Sequence, residues 1–158
     1  MIILGLDPGI ADAGYGVISF SRGKEECLAY GSIQSKPTMA MSERLAHLYD
    51  ELAKLIVRYK PDAVAIEKLF FSKNVKTALV VSEARGVIRL CFEKHHLSCS
   101  EFSPQQVKMA VCGHGAASKP QMQKMVQTLL RLKQIPKPDD AADALAMALT
   151  LAHTKFFR

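Results

Sequence analysis

Residues 2–20, IILGLDPGIADAGYGVISF, decide how the chain is read. The apolar run from Ile2 to Leu6 has the composition of a buried strand, yet it ends on a carboxylate, Asp7. An ionised carboxylate is costly to bury unless it is paired or holds a metal. Either Asp7 caps the Pro8-Gly9 turn, for which Asp-Pro-Gly is good chemistry, or it stays at the strand end and faces a cation. The stretch from Gly14 to Phe20 reads as a second strand and that from Cys27 to Gln34 as a third. Short Gly-containing turns join them, so the chain opens as an antiparallel meander.

Beyond the meander the period changes. Leu45, Leu48, Leu52, Leu55, Ile56 and Tyr59 fall at steps of three and four, which predicts a helix over about 39–59 that Pro61 stops. The run Ala63-Val-Ala-Ile66 is a second short apolar stretch that ends on a carboxylate, Glu67. A loop follows, then a helix over 74–94 with Val80, Ala84, Val87, Ile88 and Cys91 as its apolar stripe, and a fifth strand over 97–102. Ser103-Pro-Gln-Gln106 and Ser118-Lys-Pro-Gln121 both carry the capping-box signal for a helix start. Gly113-His-Gly115 separates the two helices. A last helix begins near Asp139, which looks like its N-cap, and carries Ala142, Leu145, Ala146, Leu149 and Ala152 on one face. The order β-β-β-α-β-α-β-α-α-α predicts an α/β fold, a mixed sheet with its first three strands antiparallel and helices on its faces. Sites in such sheets gather at the C-terminal ends of neighbouring strands.

The 158 residues are expected to form one domain over 1–158. With 49% hydrophobic and 23% charged residues the composition is that of a globular protein, and no apolar run approaches the ~20 residues of a membrane helix. The N-terminus has neither the basic start nor the cleavage pattern of a secretory signal. Cys27, Cys91, Cys99 and Cys112 form no CxxC pair and read as reduced thiols of a cytoplasmic protein. The net charge is +6, and the excess is localised. Between Phe102 and Pro138 there is no Asp or Glu, while Lys108, Lys119, Lys124, Arg131, Lys133 and Lys137 lie there. A one-sided basic surface suits a polyanion such as nucleic acid; a solvated helix face with no partner is the plain alternative.

If the strands ending on Asp7 and Glu67 are parallel neighbours, their carboxylates meet at one sheet edge. Asp140 and Asp143 lie three apart at the start of the last helix and share a face; Asp139 and Asp143 are one turn apart as well, so spacing alone leaves Asp139 and Asp140 both open. Carboxylates gathered so closely repel one another and their pKa values rise. The cluster makes sense around divalent cations, for which Mg²⁺ or Mn²⁺ with oxygen ligands is the natural choice. Two such ions about 3.5–4 Å apart can activate water and stabilise the leaving oxygen at a phosphodiester. Taken singly, each carboxylate also has a structural reading. Asp7 can serve a turn, Glu67 can pair with Lys68 or Lys73, and the aspartates of the last helix can complement its dipole. Asp12 and Asp62 read as turn residues.

The pieces GLDPGIADAGYGVI (5–18), AIEKLFFSKN (65–74), EARG (83–86), SPQQVKMAVCGHGAASKPQMQKMV (103–126) and DDAADALAMAL (139–149) resemble, in order and over nearly the whole chain, the RuvC-type Holliday junction resolvases of the ribonuclease-H-like nuclease superfamily. The resemblance implies a ribonuclease-H-like five-stranded sheet and a catalytic, metal-binding tetrad of Asp7, Glu67, Asp140 and Asp143, which leaves Asp139 as the cap. It implies a homodimer that nicks opposed strands of a four-way DNA junction with Mg²⁺, Mn²⁺ substituting, in recombination and repair. Junction-binding and branch-migration motor proteins are the partners it implies, with action at the bacterial nucleoid. Phe70 matches the position that stacks on bases, and Phe71 shares that role or belongs to the core. Lys108 and Lys119 match basic residues near the scissile strand, Lys76 and Arg85 are candidates for phosphate contact, and His114, between two glycines, either touches DNA or belongs to a flexible loop. Val80, Ala84 and Val87 lie on the helix that the family uses for dimer contact. Ile10 and Ala11 depart from members with a hydroxyl and a basic residue after the first glycine.

Two other classes use part of the same evidence. A non-catalytic junction-binding protein would need the basic segment but not four acidic groups facing phosphate, since like charges repel. A ribonuclease acting on RNA–DNA hybrids would share the carboxylates. A phosphate-loop protein of the actin and sugar-kinase type would need a second Gly-rich loop, which the sequence does not contain.

Overall fold

The computed structural model describes residues 1–68 and 75–156, without the side chains of residues 75–77, 155 and 156. Three strands, β1 (Ile2–Asp7), β2 (Asp12–Ser21) and β3 (Lys24–Gln34), form the meander. They are followed by α1 (Met41–Tyr59), β4 (Ala63–Glu67), α2 (Val75–Lys94), β5 (Cys99–Phe102), α3 (Pro104–Cys112), α4 (Lys119–Leu129) and α5 (Asp139–Phe156). The sheet order is β3-β2-β1-β4-β5, with β1 antiparallel to β2 and parallel to β4, and β4 parallel to β5. Every element expected from the sequence is present in the expected order, and the sheet has the strand order of the ribonuclease-H-like fold.

Alternation along the central strands sorts side chains between two layers. Leu4 and Leu6 of β1 and Val64 and Ile66 of β4 face α1 and α2, where they pack with Leu48, Leu52, Ile56, Ala84, Ile88 and Phe92. Ile3 of β1 and Ala63 and Ala65 of β4 face the opposite layer, built from α3, α4 and α5. Each fully buried Leu or Ile contributes about 1.5–3 kcal/mol. The register sets Leu6 beside Ile66. Asp7 and Glu67, one residue further on each strand, therefore fall on the α5 side of the sheet at its C-terminal edge.

Helix α5 lies against that side, and nearly all of its residues from Ala141 to Ala152 are buried. Its alanines let it press close, and the glycines of the meander make room. A Cβ on Gly5 would strike the main chain of Ala144 and Ala148, and one on Gly14 the main chain of Asp140. The close fit sets the first turn of α5 directly over the end of β1 and the start of β2. Both Ser capping boxes form: Ser103 N–H donates to Gln106 Oε1 at 2.8 Å and Ser118 N–H to Gln121 Oε1 at 2.8 Å. Asp62 also does more than turn the chain, since its Oδ2 accepts from Ile2 N–H at 2.6 Å and pins the start of β1.

Candidate active site

Asp7, Asp140 and Asp143 each offer a carboxylate oxygen within 4.8 Å of the others. Two elements supply them, β1 ending on Asp7 and α5 beginning with the other two. Glu67, at the end of the neighbouring strand, stands just outside that tightest group. It lines the same cleft, of about 270 Å³, together with Asp7, Asp143, Lys108, Lys119 and an apolar wall that includes Val107, Met122 and Met147. The carboxylates from distant parts of the chain thus converge, three closely and the fourth on the cleft wall.

Burial first, and their mutual repulsion after it, raise the proton affinities of these groups. Burial, then Glu67, Asp143 and Asp140, push Asp7 up from 3.8 to about 7, against the pull of Lys119. Glu67 is raised by burial and by Asp143, with the Arg85 guanidinium working the other way. Burial raises Asp143 despite Lys119, and burial together with Asp12 raises Asp140. Lys119, the first residue of α4, places its ammonium 3.3 Å from Asp143 Oδ2 and 3.5 Å from Asp139 Oδ2. Burial disfavours that charge, but the two aspartates outweigh it and its pKa is raised. Among the described residues Lys119 is the one cation in an ion pair with these four carboxylates, which leaves the cluster under-neutralised. Asp143 Oδ1 is buried and accepts no hydrogen bond among the described residues. An all-oxygen donor set with an orphaned buried oxygen fits a hard divalent cation.

Asp139 differs from its expected role. Its carboxylate turns toward α4, where Oδ1 accepts from Gln123 Nε2 at 3.0 Å, and it leaves the cap for Lys119 and Gln123. Asp12 is closer to the site than a turn residue would be. It opens β2, its Oδ2 accepts from Gln34 Nε2 at 3.2 Å, and its other oxygen is buried without a partner among the described residues. Arg85, the candidate for phosphate contact, is engaged inside the protein. It is 7% exposed, its guanidinium donates to the main-chain oxygen of Glu67, and it pairs with Glu101 Oε1 at 3.1 Å. The sequence held a signal for this, because Arg85 falls in line with Ala84, Ile88 and Phe92 on the buried stripe of α2. Val80 and Val87 are half-buried, and Ala84 is fully buried in the core. His114 helps line a second recess between α3 and α4, with Cys112 and Lys124. Phe70, Phe71 and the side chain of Lys76 lie outside the described residues.

Residues 3–151 match the family model of the crossover junction endodeoxyribonuclease RuvC. The chain belongs to this family. It is 53% identical over 157 residues to the RuvC crossover junction endodeoxyribonuclease of Alkaliphilus oremlandii, covering 99% of this chain and 96% of that relative. The RuvC of Caldicellulosiruptor saccharolyticus is likewise 53% identical, over 150 residues, covering 94% of this chain and 90% of the relative. The solved structure of Thermus thermophilus RuvC in complex with Holliday junction substrate superposes with a TM-score of 0.92 at 30% identity, covering 99% of this chain and 96% of that one. Lys108 and Lys119 stand beside the carboxylates in the lining of the cleft. Among the described residues no helix is long and apolar enough to cross a membrane.

Proposed function

We propose that this protein is a structure-selective endodeoxyribonuclease that resolves four-way DNA junctions by paired, symmetric phosphodiester hydrolysis. Asp7, Glu67, Asp140 and Asp143 would hold divalent cations, Mg²⁺ with Mn²⁺ as substitute, two per site. The observation that carries the reading is the meeting of acidic groups from β1, β4 and α5 beside two lysines. Held by these carboxylates, the cations would supply activation of a water and neutralisation of charge at the phosphate.

The chain's own groups prepare that chemistry. The strand ends fix Asp7 and Glu67, and α5 fixes Asp140 and Asp143, so the ligand set is formed in advance. Asp7, raised to about 7, retains a proton near neutrality that must leave before the cluster can act as a full set of anionic ligands. Lys119 exchanges Asp139 and Asp143 for a phosphate oxygen as the DNA backbone enters, and Lys108 extends the cationic path along the cleft. Homodimerisation suits a two-fold substrate, and the outer face of α2 is the surface for it. Leu79 is 61% and Leu90 52% exposed there, and between them a Cβ on Gly86 would meet nothing within 4 Å. Junction-binding and branch-migration motor proteins are the partners this reading expects, in the bacterial cytoplasm at the nucleoid.

The deciding experiment offers a synthetic four-way junction, a linear duplex and an RNA–DNA hybrid to the protein, with and without Mg²⁺. Paired symmetric nicks confined to the junction and dependent on the cation are expected. Junction binding without cleavage would identify a non-catalytic binder, and cleavage of the hybrid a ribonuclease.

A further inference from the structure

Arg85 is a charge in the wrong place for a surface role. A guanidinium stays protonated in proteins, so one placed in the core between a helix and a sheet must have fixed partners. It has them on two adjacent strands. One nitrogen donates to the main-chain oxygen of Glu67, the last residue of β4, and another lies 3.1 Å from Glu101 Oε1 on β5. In the register of the two strands, Ile66 is beside Glu101 and Glu67 beside Phe102. The guanidinium therefore bridges the sheet at its C-terminal edge, where β4 leaves it. Lys68 N–H still donates to Phe102 O at 2.8 Å, which closes the ladder on the other side of Glu67. Held from both sides, the main chain at Glu67 has little freedom, and the direction of its Cα–Cβ bond into the cleft is set. Arg89, one turn further along α2, reaches Glu101 at 3.6 Å from a largely exposed position and is not seen to touch Glu67.

The geometry points to Arg85 as a positioning residue that locks the main chain of Glu67, and with it the fourth carboxylate, to β5 and α2. The inference rests on the nuclease reading for its consequence in cleavage, but not for its consequence in cation binding. A planar fork bonded to two acceptors is what lysine cannot reproduce, because its single ammonium cannot span both. Groups that orient a metal ligand from behind are typically worth 10- to 100-fold in affinity or rate.

The test compares wild type, Arg85→Lys, Glu101→Gln and Arg89→Ala by calorimetric titration with Mn²⁺, by junction affinity in chelator, and by single-turnover cleavage of a four-way junction. Thermal melts confirm that each variant folds. Arg85→Lys is expected to lose roughly 10- to 100-fold in Mn²⁺ affinity and a similar factor in cleavage rate, while junction affinity stays within about threefold. Glu101→Gln, which loosens only the far end of the bridge, should lose less in the same direction, and carries the test if Arg85→Lys does not fold. Arg89→Ala should match wild type. Wild-type Mn²⁺ affinity in Arg85→Lys and Glu101→Gln, or an equal loss in Arg89→Ala, would overturn the proposal. A wild-type chain that binds Mn²⁺ but leaves the junction uncut would remove the nuclease reading, and the Mn²⁺ titrations would still judge Arg85.

Discussion

At the end of β1, burial and three neighbouring carboxylates push Asp7 from 3.8 up to about 7. The folded state therefore holds a proton on this group more tightly than the unfolded chain does. Its contribution to stability is fully present below about pH 4 and is lost as pH rises through about 7. Without divalent cations, the melting temperature of wild type relative to Asp7→Asn should fall across that window, because the variant carries no charge to repel its neighbours. Asp7→Asn should be the more stable protein at pH 8, while cleavage drops about a thousandfold and junction affinity holds. Added Mg²⁺ should raise the wild-type melting temperature strongly at pH 8 and little at pH 5, where protons compete for the ligands. A flat difference between wild type and variant from pH 4 to 8 would contradict this account. Lys119 belongs to the same scale. Lys119→Ala should weaken DNA binding and reduce the slope of log affinity against log salt by about one; an unchanged slope would mean that its ammonium serves only Asp139 and Asp143.

The elements explain why so much could be read from the sequence. Strand ends are local features: a short apolar run stopped by Asp7 or Glu67 shows both the strand and the placement of the acid. The period of α5 and its paired aspartates are local as well. What sequence could not show is contact between elements. Asp139 leaves its helix end because Gln123 and Lys119 of α4 happen to lie within reach. Arg85 turns inward because strand-end acceptors wait beneath α2. Neither partner is near in the chain, so no local pattern marks the pairing. Contact between α5 and the meander is the junction on which the site depends most. Gly5 faces the main chain of Ala144 and Ala148, which cannot move aside as a side chain can. Gly5→Ala should therefore lift α5 from β1 and cost about 1–3 kcal/mol of stability. The lift would also separate Asp140 and Asp143 from Asp7, so Mn²⁺ affinity should fall by more than the stability loss alone predicts. A variant with lowered stability but wild-type Mn²⁺ affinity would show that the first turn of α5 holds its place independently.

Across the whole molecule, one site can cut one strand, whereas a four-way junction needs two cuts related by its two-fold axis. A closed two-fold assembly answers that need only if the chain has a self-complementary face. The core-facing stripe of α2 is consumed by Ile88, Cys91 and Phe92, which pack against α1 and the sheet. On the opposite side, Leu79, Glu83, Gly86 and Leu90 follow one another at steps of four, three and four and are all exposed. A glycine there costs about 1 kcal/mol against alanine in an isolated helix, a cost that close approach of a second helix would offset. Carboxylates at the apolar positions of this face, Leu79 and Leu90, would have to be buried against like charges in a two-fold dimer. Under the proposed dimerisation, light scattering should therefore find wild type as a dimer and Leu79→Glu with Leu90→Glu as a folded monomer at the same concentration. Its cation affinity should be intact, since Asp7, Asp140 and Asp143 all come from one chain. Junction cleavage should change in kind as well as in rate, with single nicks accumulating before the second strand is cut. A doubly substituted protein that remains dimeric would place the two-fold contact on another face.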